Sequence, residues 1–291
     1  MAGTVGIGIQ DFGKIIENKC FYVDKTAFIK EWWENRDDVT MIIRPRRFGK
    51  TLAMSMLEHF FSVEYAGRGD LFEGLSIWEE KSPGADYKYR SLQGSYPVIF
   101  ISFADVKETT FQSARDKICR IIKAQYDKFE RLLDQDPALE KLPDIFREIS
   151  PVMGDAAASY SLKALSQFLA GYYGKKVIIL MDEYDTPMQE SYVYGYWDEM
   201  AAFIRSLFNS TFKTNPYMER AVLTGITRIS KESIFSDLNN LEVVTTTSCK
   251  YEEVFGFTEK EVFAAMDEFG LTEKEEVRAW YDGFTFGETP D

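Results

Sequence analysis

The sequence contains little histidine or cysteine, and its charge is strongly acidic. Of 291 residues, one is histidine (His59) and three are cysteines, with no CxxC pair among them. A zinc site built on histidine or thiolate ligands is therefore poorly supported, and widely spaced cysteines in odd number indicate reduced thiols. The formal net charge of −13 disfavours direct binding of this chain to nucleic acids or anionic membranes.

Long apolar runs are also missing. No run approaches the ~20 apolar residues that a membrane-spanning helix needs, and residues 1–12 lack the basic and apolar regions of a signal peptide. We therefore expect a cytoplasmic protein with no membrane partner. The chain is long enough for one large domain and a smaller appendage.

Short apolar runs alternate with segments of helical period. Four such runs predict strands, Val39–Ile43, Val98–Phe103, Val177–Met181 and Ala221–Leu223, and Val243–Thr247 is a fifth candidate strand. A continuous apolar run is typical of a strand that is covered on both faces. Apolar stripes with helical spacing lie between the runs, as in residues 118–132 and 162–172. The alternation predicts an α/β fold with a mostly parallel, five-stranded sheet covered by helices.

A basic loop joins the first predicted strand to a helix. Residues 44–51 read Arg-Pro-Arg-Arg-Phe-Gly-Lys-Thr. A strand, a loop with Gly-Lys-Thr and a helix form the context of a phosphate-binding, or Walker A, loop. We predict that Lys50 reaches the β- and γ-phosphates of ATP and that the Thr51 hydroxyl binds Mg²⁺. The residues predicted to contact the nucleotide are Arg46, Arg47, Phe48, Gly49, Lys50, Thr51, Leu52 and Thr224.

This loop departs from the standard pattern at its first position, where Arg44 replaces glycine. The alternative interpretation is an arginine-rich surface turn. The flanking strand and helix favour the phosphate loop.

Two acids end the third predicted strand, in the manner of a Walker B motif. We expect Asp182 to bind Mg²⁺ together with Thr51, and Glu183 to orient the attacking water. Acids that only end a strand and cap a turn are the alternative. After the fourth strand, Thr224 is a candidate sensor of the γ-phosphate, and Arg228 a candidate for stabilising transition-state charge. The predicted catalytic residues are Glu183, Lys50 and Arg228.

Several further motifs accompany these two. They are Phe21–Thr26 (FYVDKT), Asp182–Asp185 (DEYD), Phe235–Leu241 (FSDLNNL) and Trp280–Phe284 (WYDGF). With the basic loop, they make the chain similar to the predicted AAA-ATPase-like family of bacterial proteins over nearly its whole length. The resemblance implies a P-loop NTPase fold with ATP and Mg²⁺ as ligands, and arginine is common in that family at the place of Arg44.

The resemblance also bears on domain organisation. Similar proteins usually continue into more helices and a nuclease-like domain of the PD-(D/E)XK type, which implies that this chain is a fragment. We expect a P-loop ATPase core over residues 1–250, with an N-terminal extension over 1–37, and the start of a helical lid over 251–291. Two amphipathic segments in that lid, Thr258–Phe269 and Thr272–Trp280, each open with a threonine that could cap a helix.

The expected function is ATP hydrolysis coupled to a partner: an attached domain, such as the nuclease-like one, or further copies of the chain. Three alternatives remain. A slow or non-hydrolysing switch would use the nucleotide to set the lid position. A small-molecule kinase would use Lys50 and Mg²⁺ but needs an acceptor pocket that no motif marks. A nuclease would need an acid and an acid-x-Lys triplet on a strand, which Asp86 and residues 105–107 satisfy loosely. Asp185 and Arg205 are interpreted as surface charges or ion-pair partners.

Overall fold

The computed structural model describes residues 3–82, 86–133, 144–227, 229, 234–235, 238–281, 285–287 and 289–290. The α-helices are α1 (Phe12–Glu17), α2 (Ala27–Asn35), α3 (Lys50–Phe61), α4 (Ser76–Glu79), α5 (Phe111–Leu133), α6 (Ile145–Glu148), α7 (Asp155–Tyr173), α8 (Thr186–Tyr194), α9 (Trp197–Phe208), α10 (Glu259–Phe269) and α11 (Lys274–Tyr281). The strands are β1 (Val39–Ile43), β2 (Val98–Ser102), β3 (Val177–Asp182), β4 (Met218–Gly225), β5 (Leu241–Val244), β6 (Thr285–Phe286) and β7 (Thr289–Pro290).

The chain divides into two compact units. Unit 1 comprises Met1–Arg36, Ile43–Ser95 and Val243–Asp291, and unit 2 comprises Asp37–Ile42 and Tyr96–Glu242. Unit 1 therefore combines both ends of the chain with the segment that follows β1. Unit 2 holds most of the sheet.

The main sheet is parallel and five-stranded, as the sequence predicts. Its strand order is β2-β3-β4-β1-β5. The interior strand β3 is buried along its whole length, and it pairs in parallel with β2 on one side and β4 on the other. This burial explains why the run contains no polar residue before Asp182, because both faces of an interior parallel strand are covered.

Long helices form the core of unit 2. The predicted stripe on α5 is confirmed, since Ile118, Ile122 and Phe129 are fully buried. The Tyr126 hydroxyl donates a hydrogen bond to the Ser161 carbonyl at 2.6 Å, which ties α5 to α7. The stripe on α7 is buried in the same way, at Leu162, Leu165 and Leu169.

Aromatic side chains dominate the core of unit 1. Phe12 on α1 stacks on Phe72 with ring centroids 5.0 Å apart, and its backbone N–H donates to Ser55 Oγ on α3 at 3.0 Å. Phe28 and Trp32 on α2 are fully buried. Each ring removes a large apolar surface from water, which makes such a core effective in a small unit.

Four strands differ from their predicted bounds: β2 and β3 by one residue at the carboxyl end, and β4 and β5 by more. β4 extends through Gly225, so Thr224 lies inside the strand rather than after it. β5 ends at Val244 instead of continuing through residue 247. The Thr245 N–H donates to Ser248 Oγ at 3.0 Å, and such local bonds to hydroxyls compete with the strand ladder.

The two predicted lid helices form, but only one is capped as expected. Thr258 caps α10 in a capping box with Glu261, in which each side chain accepts the other residue's backbone N–H. The next helix, α11, begins at Lys274, two residues beyond Thr272, so the prediction that Thr272 caps it is wrong.

Candidate functional site

The basic loop of unit 1 leads directly from β1 into α3. Two of its residues, Arg47 and Gly49, have left-handed backbone conformations, with φ of 70° and 76°. Gly49 precedes the first residue of α3, and its carbonyl accepts the Ala53 N–H at 2.9 Å, so the helix is hydrogen-bonded from its start. The first N–H groups of an α-helix point out of its N-terminal end, where the helix dipole favours an anion.

The Lys50 side chain folds back against this loop. The side chain is buried, and the ammonium donates to the carbonyls of Arg44 at 3.0 Å and Pro45 at 2.8 Å. The positive charge is therefore held against the loop backbone rather than extended into solvent. The predicted nucleotide contacts around it differ in exposure: Arg46 and Arg47 are exposed, whereas Thr51 is half-buried.

Arg44 is completely buried, which the sequence did not indicate. Its guanidinium lies 5.6 Å from the ring centroid of Phe255, and Nη1 donates to the Ile43 carbonyl at 3.1 Å. Burial lowers the pKa of Arg44 to about 10, which still leaves the group protonated at neutral pH. The residue that replaces the standard glycine thus joins the loop to the C-terminal part of unit 1.

That C-terminal part includes the segment Tyr251–Glu261, here named the strap. The Gly256 N–H donates to the Phe48 carbonyl of the loop at 3.2 Å. A Cβ atom at Gly256 would lie 2.9 Å from the Phe48 ring, and its φ of 85° also suits glycine. The strap therefore packs directly on the basic loop.

The FYVDKT motif holds the strap in place. The Lys25 ammonium donates to both carboxylate oxygens of Glu261 and to the Glu253 carbonyl, each at 2.6 Å. Phe28, three residues further on, contacts the rings of Tyr251 and Phe255 at 5.1 and 5.5 Å between centroids. This motif thus acts in packing within unit 1.

In unit 2, Asp182 ends β3 as predicted and is buried. Thr224 Oγ1 on the neighbouring strand donates a hydrogen bond to Asp182 Oδ1. The structure therefore joins two of the predicted site residues. A carboxylate and hydroxyl oxygens are ligands that suit Mg²⁺, which usually needs only one or two protein carboxylates when nucleotide phosphates complete its shell.

Glu183 has an unusual backbone conformation. Its φ is 51°, in the left-handed region that non-glycine residues rarely adopt. The Thr186 hydroxyl donates to Glu183 Oε2 at 3.1 Å. Strained residues of this kind cluster at functional sites because the surrounding structure must hold them.

The interpretation of Asp185 as a surface charge is wrong, because its side chain is only 1% exposed. Its carboxylate oxygen Oδ2 accepts hydrogen bonds from the backbone of Ile226 at 3.0 Å and of Thr227 at 2.7 Å. It also accepts from the Thr227 hydroxyl at 2.5 Å and the Gln189 amide at 2.8 Å. Asp185 precedes Pro187 at the start of α8, but its side chain makes no capping bond there and binds the segment after β4 instead.

Other sequence candidates have different outcomes. Arg228 lies outside the described residues. Asp105 of the nuclease alternative lies beyond the end of β2, not on a strand, and pairs with Lys117 at 2.9 Å. His59 is buried, stacks on Tyr65 at 4.0 Å and has Nδ1 2.8 Å from the Ser55 carbonyl, which fits a packing role.

Comparison with known proteins assigns the chain to a family. A family model described as Predicted AAA-ATPase matches residues 6–235, which include the basic loop and the acids that end β3. The chain belongs to the predicted AAA-ATPase family. Membership in this AAA-ATPase family indicates a nucleotide-binding, ATPase-like role.

The chain is also similar to an uncharacterized protein in the vnfD 5′ region of Azotobacter chroococcum mcd 1, with 29% identity over 283 residues. The similarity covers 96% of the chain and 48% of that protein, so the chain spans about half the length of this relative. No solved structure matches the chain.

Two further observations concern membranes and metals. Every described helix of the chain is too short or too polar to cross a membrane. In the part of the chain that the structure describes, no three His, Cys, Asp or Glu side chains are grouped so as to hold a metal ion.

Proposed function

We propose that the chain binds ATP with Mg²⁺ and hydrolyses it to ADP and phosphate. The observation that carries this proposal is the loop between β1 and α3, with a left-handed Gly49 and with the Lys50 ammonium 3.0 and 2.8 Å from two loop carbonyls. This geometry suits a phosphate group, because N–H donors and a lysine converge at one helix N-terminus.

Sheet order supports a second part of the site at the end of β3. One strand, β4, separates β1 from β3 in the sheet. The carboxyl ends of parallel strands share one edge, and ligands of open α/β sheets bind along that edge. We therefore assign Asp182 and the Thr51 hydroxyl to Mg²⁺, Thr224 to γ-phosphate sensing, and Glu183 to the attacking water. Bound Mg²⁺ would neutralise charge on the β- and γ-phosphate oxygens.

The same proposal assigns the remaining predicted residues. Arg46, Arg47, Phe48 and Leu52 would line the nucleotide together with Gly49. Arg228 would stabilise transition-state charge, so that Arg228→Ala slows turnover and leaves ATP binding unchanged. Turnover of Arg228→Ala at the parent rate would remove this residue from the site.

We further propose that the nucleotide cycle is coupled to the strap and, through it, to a partner domain or further copies of the chain. The Phe48 carbonyl accepts from the strap, and Arg44 faces Phe255. A change in the loop on nucleotide binding would therefore reach the strap through these contacts. Protease cleavage within residues 251–261 should change on addition of a non-hydrolysable ATP analogue, and an unchanged cleavage pattern would contradict the coupling.

The test of hydrolysis uses two substitutions with matched controls. Lys50→Ala should lose the stabilisation by MgATP, which for the parent is about 2.7 kcal/mol at a concentration 100-fold above Kd. Glu183→Gln should keep that stabilisation and lose hydrolysis by ~10²-fold or more. Lys14→Ala and Glu199→Gln change exposed residues in the same way and should behave as the parent.

The readouts are thermal unfolding with MgATP and phosphate release, each with and without DNA. Full stabilisation of Lys50→Ala by ATP would exclude the loop as the nucleotide site. Parental hydrolysis by Glu183→Gln would remove Glu183 from catalysis. Tight ATP binding by the parent without phosphate release would favour the switch over the hydrolase.

A further inference from the structure

We propose that Asp185 is a positioning residue for the site proposed above. It would hold the end of β4 so that Thr224 keeps its hydroxyl on Asp182. The inference rests on the proposed ATPase function, and it assigns a role to a buried acid that the hydrolysis scheme itself does not use.

The first step is the chemistry of the acid. A buried carboxylate is costly unless hydrogen bonds satisfy it. Oδ2 of Asp185 accepts from Ile226 N, Thr227 N, Thr227 Oγ1 and Gln189 Nε2, at 3.0, 2.7, 2.5 and 2.8 Å. A full negative charge makes such bonds shorter and roughly twice as strong as neutral ones. The acid is therefore an anchor for the segment after β4.

The second step is that the neighbouring tyrosine fixes the same segment. The Tyr184 N–H donates to the Thr224 carbonyl at 3.0 Å, and the Tyr184 hydroxyl donates to the Thr227 carbonyl at 2.7 Å. Between these two bonds, the backbone at Gly225 packs so closely on Asp185 that a side chain would not fit, because a Cβ there would lie 2.7 Å from Asp185 Oδ1. The turn after β3 thus holds residues 224–227 at both ends and in the middle.

The third step links the anchor to chemistry. Thr224 immediately precedes the anchored residues, and its hydroxyl donates to Asp182, the acid that we assign to Mg²⁺. Loosening of Ile226 and Thr227 would let the Thr224 hydroxyl leave this position. Misplacement of a site group by about 1 Å can cost ~10²-fold in rate. ATP affinity, which depends mainly on the phosphate loop, should change little.

The test is Asp185→Asn, which keeps the shape and removes the charge. We expect kcat for ATP to fall by ~10-fold or more, KM to stay within about twofold of the parent, and the amides of Ile226 and Thr227 to exchange faster with deuterium. Asp198→Asn, an exposed acid at the start of α9, is the matched control and should leave all three quantities unchanged.

A milder variant keeps the test decisive if Asp185→Asn does not fold. Thr227→Val removes one donor to the carboxylate and leaves the backbone bonds, so it should lower kcat by a few-fold with KM unchanged. A parental kcat in either folded variant would overturn the positioning role, as would a loss confined to KM. Parent and Lys50→Ala are assayed in parallel: if the parent shows no turnover that depends on Lys50, the ATPase proposal fails and the role of Asp185 fails with it.

Discussion

Replacement of Gly225 by alanine tests the packing at the end of β4 directly. The added Cβ would lie 2.7 Å from Asp185 Oδ1 and 2.7 Å from Tyr184 Cε1. Carbon and oxygen atoms do not approach so closely without displacement. Neither neighbour can move freely, because Asp185 is held by its donors and the Tyr184 hydroxyl is bonded to the Thr227 carbonyl. The strain must therefore be distributed over buried groups.

The expected cost of Gly225→Ala follows from these contacts. Overpacking of a well-packed interior costs about 1–3 kcal/mol. The alanine recovers about 0.4–1 kcal/mol because it restricts the unfolded chain. We therefore expect a net destabilisation of about 1–2 kcal/mol, which lowers Tm by ~2–4 °C for each kcal/mol in chains of 150–250 residues.

Gly171→Ala is the matched control. Gly171 lies exposed on α7, and an added Cβ meets no atom within 4 Å there. Alanine is favoured over glycine in a helix by ~0.5–1 kcal/mol, so this variant should be more stable than the parent. Urea denaturation followed by circular dichroism measures both changes. If Gly225→Ala is as stable as the parent, the tight packing around Asp185 is wrong.

Three further predictions concern other contacts. Lys25→Ala should lower the free energy of unfolding by about 1 kcal/mol, because the pair with Glu261 is only 13% and 23% exposed; a urea midpoint equal to the parent's would contradict this. Burial raises the pKa of the Cys119 thiol and so reduces its thiolate fraction, whereas Cys249 is exposed. Iodoacetamide at neutral pH should therefore alkylate Cys249 well before Cys119. Mass spectrometry of the folded protein measures the two alkylation rates, and equal rates would refute the burial of Cys119. Arg44→Lys should weaken the contact with the strap by ~0.5–1 kcal/mol, because lysine lacks the planar guanidinium. Backbone hydrogen exchange in residues 251–261 should then be faster, and an unchanged exchange rate would argue against that contact.

The sheet was predictable because its signal is local. β3 is apolar up to Asp182 and β1 is apolar except for Thr40, so each carries its own evidence of burial on both faces. Asp182 was predictable for the same reason, since an acid that directly follows such a run lies at the strand's carboxyl end. The ends of β4 and β5 were predicted less well, because hydroxyl side chains near them can bond either within a strand or within a turn.

The surroundings of Asp185 and Arg44 could not be predicted in this way. Asp185 binds backbone N–H groups of Ile226 and Thr227, about 40 positions away. Every residue except proline has a backbone N–H group, so the residue types at these positions do not reveal the partner. Arg44 faces Phe255, which is still further along the chain. The sequence shows that these residues are charged. Which partner neutralises or covers the charge depends on tertiary packing.

The make-up of unit 1 has a practical consequence for protein production. The family match ends at residue 235, whereas Tyr251 and Phe255 belong to the aromatic core around Phe28. A clone trimmed to the matched segment would uncover the Phe28 ring, remove Phe255 from the Arg44 guanidinium and leave Lys25 without Glu261. Such a clone would be a poor sample for any binding assay, and expression boundaries should extend at least through the end of α10 at Phe269.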